Sequence, residues 1–106
     1  MKDIFRINIL LDFYNMLLTE HQVKILELYA SDDFSLSEIA ELTNISRQGV
    51  YDNIKRAKKQ LEEYENKLQL YNKYLLNKEQ LSHIESLIED NKCDEISSVI
   101  NSIIER

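Results

Sequence analysis

Positions 47 to 59 read Arg-Gln-Gly-Val-Tyr-Asp-Asn-Ile-Lys-Arg-Ala-Lys-Lys, a stretch in which polar chemistry alternates with packing residues. Wound as a helix of 3.6 residues per turn, it gathers Val50, Ile54, Ala57 and the following Leu61 on one face. Arg47, Gln48, Tyr51, Asp52 and Lys55 are left on the other. Arginine can donate two hydrogen bonds to guanine, glutamine can pair with adenine, and Tyr51 can meet a thymine methyl or a phosphate. Lys55, Arg56, Lys58 and Lys59 suit phosphates, which add affinity and carry no direct sequence information. Asp52 on the same face fits a local ion pair better than a base contact. Ser46, the expected cap, and the helix N-terminus behind it can receive one more phosphate.

Other chemistries are poorly supplied. His21 and His83 lie far apart, and neither has a second metal ligand at helical spacing. Cys93 stands among Lys92, Asp94 and Glu95 without a nearby histidine, which argues against a catalytic thiol. Phosphate loops, glycine-rich turns and nucleophile elbows are missing, and Glu62, Glu63 and Glu65 fall on a helix surface. The expectation is a non-enzyme with no catalytic residue, no metal and no cofactor. Gly49 costs about 0.5–1 kcal/mol inside a helix, tolerable where a backbone or a neighbouring helix comes close.

Charge is the feature that opposes nucleic acid. The net charge is −6, but it is unevenly spread. Residues 1–33 carry 3 basic and 6 acidic groups, residues 34–68 carry 6 of each, and residues 69–106 carry 4 and 7. Across 47–59, Arg47, Lys55, Arg56, Lys58 and Lys59 face only Asp52, the one local basic surplus.

The elements that must position this stretch are helical. At 106 residues with 43% hydrophobic and 30% charged, one principal core is expected. No proline and a single glycine leave Asn, Asp and Ser to make the turns. The lone cysteine cannot form an internal disulfide, so the expected setting is the cytoplasm. Ile4 to Leu18 is apolar, yet Asp3, Arg6, Asn8, Asp12 and Asn15 interrupt it. It therefore reads as an amphipathic core helix, with no targeting or membrane segment.

That first helix is expected to bury Phe5, Ile9, Leu10, Phe13 and Leu17 and to end near Leu18. Thr19 with Gln22 predicts a capping box for a second helix over 20–31, burying Val23, Leu26, Tyr29 and Ala30. Ser35 with Glu38 predicts another for a short third helix, with Leu36, Ile39 and Ala40 inward. Asn44 is the residue best able to take a left-handed turn, and Ile45 would plug it. Ser46 then caps the fourth helix, which nothing local stops before Leu76. Asn77 is expected to cap a fifth helix with Leu81, Ile84, Leu87 and Ile88 inward. A turn over 91–94 precedes a last helix bearing Ile96, Val99, Ile100, Ile103 and Ile104. That stripe either packs back on the fourth helix or buries itself in a second copy as a homodimer. Tyr14, Tyr29, Tyr64, Tyr71 and Tyr74 fit core or interface better than base stacking.

The run Leu18-Thr19-Glu20, Ile25 to Tyr29, Ser35 to Ala40 and Ile45 to Ala57 resembles region 4 of bacterial sigma factors. More narrowly, with Arg6-Ile7-Asn8 and Leu11-Asp12-Phe13-Tyr14, it is similar to the YlxM-like family of small bacterial helix-turn-helix proteins. The resemblance spans about residues 4–68. It implies an all-α, sigma region 4-like bundle within the winged-helix-like DNA-binding superfamily, with a helix-turn-helix domain at 1–68 and C-terminal helices at 69–106. It also implies a gene beside those of the signal recognition particle and a regulatory or accessory role there. Two functions follow: a duplex-DNA-binding regulator, or an accessory factor that binds a protein of that pathway and no DNA.

Overall fold

A computed structural model describes residues 4–105, and among these it holds six α-helices and no strand. The chain divides into two compact units, Met1–Tyr71 and Asn72–Arg106.

The first unit opens with α1 (Ile4–Tyr14), followed by a 3-10 turn over Asn15–Leu17. Helix α1 therefore stops four residues short of Leu18. Its buried face is also not the expected stripe: Ile7, Leu10, Leu11 and Tyr14 point inward, while Phe5 is 78% exposed and Leu17 is exposed as well. The helix is apolar on more than one side, so periodicity alone allows two rotations. Flanking polar groups select between them. The Arg6 guanidinium donates twice to the Glu62 carboxylate, at 2.9 Å each. Asn8 donates from Nδ2 to the Ala30 carbonyl at 3.1 Å and accepts from the Ser31 hydroxyl at 2.8 Å.

Helix α2 (Glu20–Leu26) starts at the predicted capping box, in which Thr19 Oγ1 accepts from the Gln22 N–H and the Gln22 side chain accepts from the Thr19 N–H. Leu26 and Ala30 are buried as expected, and Ile25, which was not singled out, is buried with them. The last turn, Glu27–Ser31, is π-helical: the Asp32 N–H reaches back five residues to Glu27. Asp33 then turns left-handed, at φ 57°.

Helix α3 (Leu36–Thr43) carries the second capping box, between Ser35 and Glu38. Helix α4 (Arg47–Leu68) has 22 residues, about 33 Å at 1.5 Å per residue. Val50, Ile54, Ala57 and Leu61 are all buried along it, and α4 packs against α1, α2 and α3. Each buried Val, Leu or Ile contributes about 1.5–3 kcal/mol, so this stripe anchors α4 in the unit.

Sequence reasoning let α4 run on toward Leu76 and placed the next start at Asn77. In the structure α4 ends at Leu68, Gln69 turns left-handed at φ 54°, and α5 (Leu70–Glu89) begins at once, with Asn77 in its interior. Capping that draws on Tyr14 of α1 stabilises this break. The Leu70 N–H donates to the Tyr14 hydroxyl at 3.0 Å, and the Tyr71 N–H donates to Glu65 Oε1 at 3.1 Å. Tyr14 in turn donates to the same Glu65 oxygen at 2.5 Å. Among the described residues Glu65 is the one charged residue of the core, 7% exposed. A carboxylate there is tolerable because donors surround it.

In the second unit, α5 continues to Glu89, Asn91 turns left-handed at φ 55°, and α6 (Cys93–Ile104) follows. Gln80 donates to Ser102 across the pair at 3.3 Å. Leu87 is buried and Ile84 half-buried, but Leu81 and Ile88, expected inward, are exposed. On α6, Ile96, Val99 and Ile103 are half-buried, while Ile100 and Ile104 remain exposed. No helix among the described residues is long and apolar enough to cross a membrane.

Candidate nucleic-acid interface

The junction of α3 and α4 is built from short-range parts. Helix α3 ends where Asn44 adopts φ 58° and ψ 39°, and its N–H returns to the Ala40 carbonyl. The Ile45 N–H reaches the same carbonyl at 3.3 Å, closing the turn. Thr43 Oγ1 donates to the Ile39 carbonyl at 2.7 Å, which satisfies another acceptor at the helix end. Ile45 packs half-buried against the core, as a plug for the turn should.

Ser46 then adopts an extended backbone, and its Oγ accepts from the Gly49 N–H at 2.9 Å. The close neighbour of Gly49 is this cap itself. A Cβ at that position would lie 3.1 Å from Ser46 Oγ and 3.8 Å from Ile45 Cδ1. The Gly49 carbonyl is also engaged, accepting from Asn53 Nδ2 at 2.8 Å. Asn53 was not singled out from the sequence, although a short amide four residues after a helical glycine is a visible signal for such a bond.

With Val50 and Ile54 buried, Arg47, Gln48, Tyr51, Asp52 and Lys55 emerge together over the first two to three turns of α4. Tyr51 is 49% exposed. Asp52 is paired differently from the expected salt bridge: its Oδ1 accepts from the Gln48 amide at 3.0 Å, one helical turn away. Arg56 and Lys59 are exposed further along the same helix. Lys58 is set apart from them. It is half-buried, two residues from Arg56 and so about 160° around the helix, and its charge helps lower the Glu62 pKa.

That flank holds the ion pair of Arg6 and Glu62. The Arg6 hydrogen bonds hold Glu62 below the usual carboxylate range and raise Arg6 in turn. The Arg6 guanidinium also lies over the Tyr71 ring, 5.7 Å from its centroid. Phe13, Tyr14, Tyr64 and Tyr71 form a tilted aromatic cluster, with ring centroids of Phe13 and Tyr71 5.9 Å apart and those of Tyr14 and Tyr64 6.0 Å apart. These tyrosines therefore serve packing. Burial first, and the bond to Glu65 second, push the Tyr14 phenol up. Among the described residues no three His, Cys, Asp or Glu side chains gather as a metal site.

Two capped helices joined by a tight left-handed turn, the second anchored by Val50 and Ile54, define a helix-turn-helix protein. More particularly, residues 1–100 match the UPF0122 family, described as "Putative helix-turn-helix protein, YlxM / p13 like", and the chain belongs to that family. A UPF0122 protein of Streptococcus pneumoniae is 46% identical over 102 residues, covering 95% of this chain and 93% of its own. One from Streptococcus thermophilus is 45% identical over the same length and coverage. A relative from Lactococcus lactis is 53% identical over 79 residues, 74% of this chain and 71% of its own.

Proposed function

We propose that this protein is a cytoplasmic regulator that binds duplex DNA through the N-terminal half of α4. One observation supports it above the rest: the turns of α4 that follow Ser46 expose Arg47, Gln48, Tyr51, Asp52 and Lys55 while Val50 and Ile54 hold the helix from behind. A helix presented in this way enters a major groove by its N-terminal residues. Arg47 and Gln48 then meet base edges, Tyr51 a thymine methyl or phosphate, and Lys55 the sugar-phosphate rim. Ser46, Arg56, Lys58 and Lys59 are assigned to phosphates. Contact by Lys58 requires its half-buried side chain to swing outward. Residues 1–68 carry the DNA contacts in this scheme, and residues 69–106 supply the pairing or packing helices. The regulatory role near the signal recognition particle genes, implied by the family resemblance, is part of the same proposal.

The acidic balance sets the terms of binding. With a net charge of −6, affinity rests on a local basic surface and falls steeply with salt. Selection from random duplexes at physiological salt, followed by a salt titration, tests this. Arg47→Ala combined with Lys55→Ala is expected to weaken binding about 10- to 100-fold, with the thermal unfolding curve unchanged. Arg56→Gln and Lys59→Gln should each reduce the salt slope by roughly one without altering the selected sequence. Binding by wild type that the Arg47/Lys55 double variant leaves intact would rule out this face, and co-purification with a protein and no nucleic acid would favour the accessory-factor alternative.

A further inference from the structure

The first unit carries a second surface that DNA contact leaves unused. A groove of about 760 Å³ runs between the 3-10 turn after α1 and the outer side of α2 with its π-helical turn. Met16, Val23 and Leu28 supply its apolar wall. Met16 is 90% exposed, while Val23 and Leu28 are half-buried. A methionine held in water at the lip of a groove is an adaptable contact for an incoming apolar side chain.

The rim is acidic. Glu20, Glu27 and Asp32 line the groove against Lys24 alone, and none of the three carboxylates is ion-paired among the described residues. The wall is also held in shape before anything binds. Asn8 grips the Ala30 carbonyl and the Ser31 hydroxyl, and the Phe34 N–H closes the π-helical turn by donating to the Leu28 carbonyl at 2.9 Å. A wall ordered in advance lowers the entropy cost of docking, and such single π turns cluster at functional sites.

We propose that this groove docks a basic amphipathic helix of a partner protein, with apolar side chains against Met16, Val23 and Leu28 and lysines or arginines over Glu20, Glu27 and Asp32. Nucleic acid is disfavoured here because three carboxylates repel phosphate. A second copy is disfavoured because its own apolar terminal helix, α6, carries Asp94 and Glu95, and like charges across an interface are unfavourable. The apolar anchors give affinity in the helix-in-groove manner, and the rim gives selection by sign of charge.

The test titrates the full isotope-labelled chain with a 16-residue peptide bearing leucine at three- and four-residue steps and lysine on the remaining positions. A counterpart with every lysine replaced by glutamate is run beside it. Saturable amide shifts confined to residues 15–32, weakening as salt rises, are expected for the lysine peptide alone. Met16→Lys together with Glu27→Lys, both exposed and so neutral for folding, should weaken that peptide at least tenfold and should not weaken duplex binding. Four outcomes overturn the proposal: no saturable shift, equal affinity for the glutamate peptide, shifts centred on α5 and α6, or concentration-dependent shifts at 15–32 without peptide, which would assign the groove to a second copy. Loss of DNA binding by the wild-type chain would sink the DNA proposal and leave this one standing.

Discussion

Helix α4 is bounded by two left-handed residues that are not glycine, Asn44 before it and Gln69 after it, at φ 58° and φ 54°. The corners look alike and are made differently. At Asn44 every part is within a few residues: a side chain tolerant of left-handed backbone, a buried Ile45 and the Ser46 cap. At Gln69 a key part comes from far away in sequence: Tyr14 receives the Leu70 N–H and also donates to Glu65, the nearby carboxylate that receives the Tyr71 N–H. A short-range corner is written where it occurs. A long-range corner exists only once α1 has docked on α4.

The largest expected effect strikes the second corner. Glu65→Ala leaves the buried Tyr14 hydroxyl without its acceptor, at about 1–3 kcal/mol, and the part-buried Tyr71 N–H without its own, at less. A loss of about 3 kcal/mol in urea unfolding is expected, along with disappearance of the left-handed carbon shifts of Gln69. Tyr14→Phe should cost about 1.5 kcal/mol and flatten the alkaline limb of stability. The sign follows from linkage. A phenol whose folded pKa is raised contributes below its unfolded value, about 10, and loses that contribution as pH rises through the folded one. No measurable loss for Tyr14→Phe, with the Gln69 shifts intact, would mean that the α4–α5 corner is local after all.

Substitution at the corner residues sharpens the contrast. Gln69→Gly removes the penalty of a Cβ in left-handed backbone, so a gain of about 0.5–1 kcal/mol is expected by thermal unfolding. Asn44→Gly should change little, because asparagine already tolerates that backbone, while Asn44→Ala should cost about 1 kcal/mol. Equal gains at both positions would erase the distinction.

The same division explains what could be read in advance. Both capping boxes, the Asn44 turn, the Ser46 cap and the inward set Val50, Ile54, Ala57 and Leu61 depend on neighbours within four residues, and each was legible. The rotation of α1 was not, because its apolar residues fit two faces and the deciding bonds go to Glu62, Ala30 and Ser31. Nor was the break at Gln69, since no glycine or proline marks it. For the candidate interface, which side chains leave α4 outward was legible. The Gln48–Asp52 bond and the half-burial of Lys58 were not.

A smaller effect tests the docking of α1 through pH. Arg6 depresses the Glu62 pKa, so the pair contributes above the unfolded carboxylate value, about 4.3, and loses its contribution as pH falls through the folded value. Their side chains are 35% and 45% exposed, which screens the interaction. Glu62→Gln should therefore cost only about 0.5–1 kcal/mol at pH 7 and progressively less as the pH falls into the acid range, measured by urea titration across it.

The smallest effect belongs to the short-range corner, at Gly49. Alanine in its place gains about 0.5–1 kcal/mol of helix propensity, since glycine surrenders more backbone freedom on folding. The added Cβ would sit 3.1 Å from Ser46 Oγ, so the capping hydroxyl must shift by a few tenths of an ångström and weaken its bond to the residue 49 N–H. A lost cap costs about 1 kcal/mol. The two terms nearly cancel, and Gly49→Ala should melt within a degree or two of wild type. In a Ser46→Ala background the crowding is gone, and the same substitution should then stabilise by the full propensity term. A gain already complete with Ser46 present would show that the cap and Gly49 act independently.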